Sequence, residues 1–89
     1  MGTTKSNSLI SYDLKNMHKE VKDAMKAKGY LETVWFSGRT HALPNTTLWK
    51  TDTSTDQAMA DLKSVCADKK AVIEKAVSVL TSELVAFNQ

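Results

Sequence analysis

The spacing of hydrophobic positions changes along the chain. Over residues 9–14, Ile10, Tyr12 and Leu14 alternate with Leu9, Ser11 and Asp13. That predicts a strand with one apolar face and one partly polar face. After Asn16, a candidate N-cap, the period lengthens: Met17, Val21, Ala24 and Met25 share one side of a helix. Gly29 is its natural stop, so the first helix is expected over 16–28. Residues 31–37 hold Thr33, Val34, Trp35 and Phe36, all strand formers. Gly38 and Pro44 bracket an expected loop over 38–45, and residues 46–51 read as the next strand. Together these make a hairpin with a long loop.

Ser54 and Gln57 have capping-box spacing, and Ala58, Met59, Leu62, Val65 and Cys66 follow at helical intervals. Asp68 interrupts that pattern. Val72, Ile73, Ala76, Val77 and Leu80 resume it, which reads as a helical continuation or a short third helix. The alternative is a strand, since residues 71–80 hold three valines and an isoleucine. Leu84, Val85 and Phe87 read as a short final strand over 83–87. The order strand, helix, strand, strand, helix, strand fits an α+β, ferredoxin-like βαββαβ sandwich, one antiparallel sheet with helices on one face. Residues 1–8 read as a flexible polar tail and 9–89 as a single domain.

Composition adds bounds. The 89 residues suit one domain with a thin core. There is no apolar run long enough for a transmembrane helix and no signal-like apolar region near the start. One cysteine, Cys66, excludes an internal disulfide and the usual zinc sites, and it reads as a core residue. A reducing, cytoplasmic setting follows. Residues 2–6 match a loose myristoylation pattern and residues 45–47 an N-glycosylation acceptor, and both read as incidental. The net charge of +2 hides an asymmetry: residues 1–50 hold eight Lys or Arg against four Asp or Glu, residues 51–89 four against six.

A few residues carry candidate chemistry. Asp13 ends the first strand on the face away from the helices, where two copies of the chain can bring two carboxylates together for a magnesium ion. Capping the following turn through a side-chain hydrogen bond is the simpler reading of the same residue. Lys15, Lys19, Lys22 and Lys26 fall within about a 60° arc of the expected helix, a stripe able to track phosphates or simply a solvated face. Arg39 in the expected loop is a further phosphate contact or a solvated side chain. His18 and His41 have no metal-ligand spacing and read as exposed. Trp35 and Trp49 are large apolar surface for an uncovered sheet face, which a homodimer interface would bury.

The segments Leu9-Ile10-Ser11-Tyr12-Asp13-Leu14, Lys28-Gly29-Tyr30 and Leu43-Pro44-Asn45-Thr46-Thr47-Leu48-Trp49-Lys50-Thr51-Asp52 stand in an order that resembles the small ferredoxin-like proteins related to the CRISPR-associated integration subunit. The likeness is to an uncharacterised branch of that group, whose architecture the toxin-like VapD proteins share. It implies a βαββαβ domain dimerising through its sheet, with Asp13 at the position linked in several members to magnesium-dependent endonuclease activity. Other members hold RNA or DNA without catalysis. The chain departs from the pattern: Thr47 stands where a tryptophan is expected, Trp49 comes two positions later, and lysines replace the arginines of the first helix. The two expectations are a nucleic-acid-associated dimer that is a magnesium-dependent ribonuclease in its enzymatic version, and a non-catalytic protein-interaction module of the kind a phage or mobile element encodes.

Overall fold

A computed structural model describes residues 5–36, 38–44 and 46–81. The elements are β1 (Ser6–Leu14), α1 (His18–Ala27), β2 (Thr33–Phe36), β3 (Arg39–Ala42), β4 (Thr47–Thr53), α2 (Thr55–Lys69) and β5 (Ile73–Leu80). The central strand β1 pairs antiparallel with β4 on one side and β5 on the other. A single antiparallel bridge, Leu31 to Trp49, adds the chain after α1 at the outer side of β4. The sequence from β5 through β1 and β4 to Leu31 is the strand order of a ferredoxin-like sheet. Both helices contribute to a core on one face of it, so the fold is α+β and ferredoxin-like.

Alternation explains β1. Ile10, Tyr12 and Leu14 are buried, whereas Asp13 is exposed. They pack with Val21 and Met25 of α1, Leu62 and Val65 of α2, and Leu48 of β4. The strand reaches back to Ser6, into the segment expected as a tail, and Ser8 is fully buried with its hydroxyl donating to the Thr53 carbonyl. Polar sequence conceals these residues, but backbone pairing and that hydroxyl contact satisfy them.

Several boundaries differ from expectation. α1 starts at His18, and its N-cap is Met17 in the left-handed region at φ 60 without a side-chain cap. Asn16 does not cap the helix; its Oδ1 accepts from the Val72 amide, tying the entrance of α1 to that of β5. The C-terminus of α1 closes as expected. Gly29, at φ 100, donates to the Lys26 carbonyl, and the Tyr30 amide donates to Met25, a Schellman arrangement. The expected long loop instead contains β3. Phe36 pairs with Arg39 and Gly38 takes φ 80, so β2 and β3 form a tight two-stranded arm. Residues 73–80 are strand rather than helix, and they supply the last strand of the sheet. The strand expected over 83–87 lies outside the described residues.

Ser54 caps α2 as expected, accepting from the Gln57 amide at 3.0 Å. The Gln57 side chain donates forward to Asp61 rather than back to Ser54, so the capping box is half formed. Among the described residues, no helix is long and apolar enough to cross a membrane.

Candidate functional site

The register of the sheet places the side chains that share its helix-free face. Leu9 pairs with Trp49 and with Val79, and Trp49 bridges to Leu31. Directly paired residues point to the same side. Leu31, Trp49, Leu9 and Val79 therefore form one apolar row across the whole sheet. Its neighbours in the next row are Thr47, Ser11 and Val77. Leu31 is 46% exposed, Val79 43% and Val77 56%, although all three are apolar. The Trp49 indole Nε1 donates to the Thr33 carbonyl at 2.6 Å, which holds the ring along the sheet edge. The backbone of Trp35 lies in β2 opposite Thr40, but its side chain lies outside the described residues.

The same face becomes charged toward the end of β1. Asp13 is exposed and pairs in register with Lys75 of β5. Ser11, Asp13, Lys75 and Val77 help to line a shallow depression of about 430 Å³. The neighbour of Asp13 in the sheet is thus a cation, not a second carboxylate. Among the described residues, no group of three or more His, Cys, Asp or Glu side chains is gathered as a metal site. A magnesium site on Asp13 needs carboxylates from a second copy.

The lysines do not form one continuous stripe. Lys15 precedes α1 and donates its amide to the Val72 carbonyl at 2.9 Å. Lys19 pairs with Asp23 at 2.8 Å, while Lys26 at 2.8 Å and Lys22 at 3.5 Å both reach Glu32. The hydrogen bond to Asp23 raises the pKa of Lys19, and that to Glu32 raises the pKa of Lys26; both carboxylates are correspondingly lowered. These acids disperse the positive field that a phosphate backbone would meet. Arg39 is exposed at the start of β3. His41 is half-buried on β3, and His18 begins α1 with its Nε2–H donating to the Leu14 carbonyl at 2.9 Å. Cys66 is buried and its thiol pKa is raised by that burial, which suits a core residue and not a nucleophile.

The apolar row was only partly visible in sequence. Trp49 stood out alone, whereas Leu9, Leu31, Val77 and Val79 become a surface only through the non-local register of β1 with β4 and β5. No family model, curated protein or solved structure matches the chain.

Proposed function

We propose that the chain is a non-catalytic protein-interaction module that docks a second copy of itself on its open sheet face. The observation that carries this reading is the apolar row Leu31, Trp49, Leu9 and Val79, flanked by Val77, on a face that no helix covers among the described residues. Leaving it in water forfeits about 25 cal/mol for each Å² of apolar surface that a partner would bury.

A second copy fits this face because the face complements itself. A two-fold axis running between β1 and β5, along the strands, sets Leu9 against the partner's Val79. The same axis sets Asp13 against the partner's Lys75. Apolar area meets apolar area and opposite charges meet at the polar end. The test is the oligomeric state of the full chain by sedimentation equilibrium, with Val79→Glu as the variant. The reading expects a dimer for wild type and a folded monomer for V79E. A monomeric wild type at about 100 μM, some 10 times a Kd of roughly 10 μM, overturns it.

The endonuclease reading needs a different axis. A two-fold axis through β1 sets Asp13 against the partner's Asp13 and gives a carboxylate pair able to hold magnesium. Charge reversal separates the two arrangements. With the axis between β1 and β5, Asp13→Lys weakens the dimer and the double exchange Asp13→Lys, Lys75→Asp restores it. With the axis through β1, the double exchange does not restore it, and magnesium-dependent RNA cleavage is lost in Asp13→Ala.

A further inference from the structure

With the two-fold axis between β1 and β5, β1 of one copy lies over β5 of the other. β4 and the Leu31 bridge then project past the outer edge of the partner's β5. Neighbouring strands are about 4.8 Å apart and facing sheets about 10 Å. The projecting strip is therefore about 10 Å wide, and the partner's β5 stands along its inner side as a step.

Two elements with little packing of their own meet at this step. The first is the outer edge of β5. Thr81 donates its amide to the Asn7 carbonyl, and Leu9, Ser11 and Asp13 continue the register with Val79, Val77 and Lys75. Hydrogen-bonded pairs recur at every second position of an antiparallel ladder, so the amides and carbonyls of Ala76, Ser78 and Leu80 point away from β1. No strand pairs with them among the described residues. Residues 76–80 hold no charge, proline or glycine, and so lack the usual protection of an open edge.

The second element is the arm of β2 and β3. Among the described residues its strands pack chiefly on each other, and Arg39, Thr40 and Ala42 are exposed. A two-stranded hairpin by itself is marginal in water. The arm springs from the projecting strip. It follows Leu31, and the Trp49 indole, which rises from the open face, donates to the Thr33 carbonyl at its root. The register runs from Thr33 with Ala42 to Phe36 with Arg39. That carries the tip about 10 Å from the root, the distance between facing sheets.

We infer, on the premise of the sheet-to-sheet dimer proposed above, that the arm of each copy lies along the outer edge of its partner's β5. There its backbone covers the outward amides and carbonyls of the partner's Ala76, Ser78 and Leu80. The two-fold axis repeats the contact, so both arms and both edges are used.

The test is amide hydrogen exchange of the full chain, followed by NMR beside two variants. One is Val79→Glu. In the other an Asn-Gly turn joins Thr33 directly to Ala42; these residues are register partners, so a two-residue turn closes between them. Circular dichroism establishes that each variant is folded, and sedimentation equilibrium gives its mass. Slow exchange is expected in wild type at Ala76, Ser78 and Leu80 as well as at Val77 and Val79. In the shortened-arm variant the first three exchange at least about tenfold faster, while Val77 and Val79 stay slow and the dimer persists. Val79→Glu, a folded monomer, loses the same protection. A wild-type dimer in which Ala76, Ser78 and Leu80 exchange as fast as in the shortened-arm variant overturns the arm contact and leaves the sheet-to-sheet dimer standing. Slow exchange at these amides that persists in V79E or in the shortened-arm variant also overturns the arm contact. A wild type that stays monomeric at about 100 μM removes the dimer and the arm contact with it.

Discussion

Tyr30 joins packing to polarity. It is 1% exposed in the core, and its hydroxyl donates to Asp61 of α2 at 2.8 Å. The Lys50 ammonium lies 5.3 Å from its ring centroid. Burial first, then the hydrogen bond to Asp61, holds its phenol well above the ordinary tyrosine range. A folded-state pKa above the unfolded value means stability that is fully present below about pH 10 and is lost as pH rises further. Urea unfolding at pH 8 and pH 11 is therefore expected to show a clear fall in unfolding free energy for wild type. Tyr30→Phe costs roughly 1–2 kcal/mol at pH 8 through the lost hydrogen bond. It also shows a smaller fall between the two pH values; an equal fall in Y30F contradicts this role.

Two other residues carry opposite backbone burdens. Gly29 adopts φ 100 at the end of α1, and a Cβ there would come within 3.2 Å of Lys50 Cε. Gly29→Ala is expected to destabilise by about 1–2 kcal/mol in urea unfolding, through the left-handed conformation and displacement of Lys50 from Tyr30. Lys70 adopts the same region at φ 59 after α2, where the Ala71 amide donates to Cys66 at 2.8 Å. Lys70→Gly removes the Cβ penalty at a position that glycine favours, and a gain of about 0.5–1 kcal/mol is expected in the same assay. A loss there contradicts the argument.

At the scale of elements, the legible parts of the sequence are those with one buried face. β1 alternates strictly because Ile10, Tyr12 and Leu14 meet the helices while Ser11 and Asp13 do not. α1 and α2 bury Val21 and Met25, and Leu62 and Val65, at helical spacing. β5 is different. It lies beyond β1 with no further strand paired to it among the described residues, so side chains on both of its faces are partly open. It therefore lacks a clean period of two, and Val72, Ile73, Ala76, Val77 and Leu80 match a helix equally well. β2 was legible from its strand formers, but β3 was illegible for another reason. Arg39, Thr40 and Ala42 are exposed, so backbone pairing alone makes β3 a strand. The candidate site followed the same rule: Asp13 was visible as the polar end of β1, but its neighbour Lys75 is 62 residues away in sequence and appears only in the register. The charge exchange between these two positions tests that register and the docking axis together. Restoration of dimer affinity in the double variant is the expected result.

For the whole molecule, size and topology lead to one consequence. Among the described residues, the helices of this 89-residue chain lie on one side of the sheet and the core lies there with them. The sheet's other side carries Leu31, Trp49, Leu9, Val77 and Val79, more apolar surface than a small solvated sheet normally leaves open. The net charge of +2 adds little long-range repulsion between copies, and the basic half of the sequence is partly neutralised by Asp23 and Glu32. Association about the axis between β1 and β5 covers the part of that area made by Leu9, Val77 and Val79. The most direct test is sedimentation equilibrium of the full chain beside Val79→Glu, with circular dichroism to establish that both are folded. About twice the chain mass is expected for wild type and the single chain mass for V79E. A folded wild type that stays at the single chain mass at about 100 μM, or a V79E variant that dimerises as tightly as wild type, contradicts it.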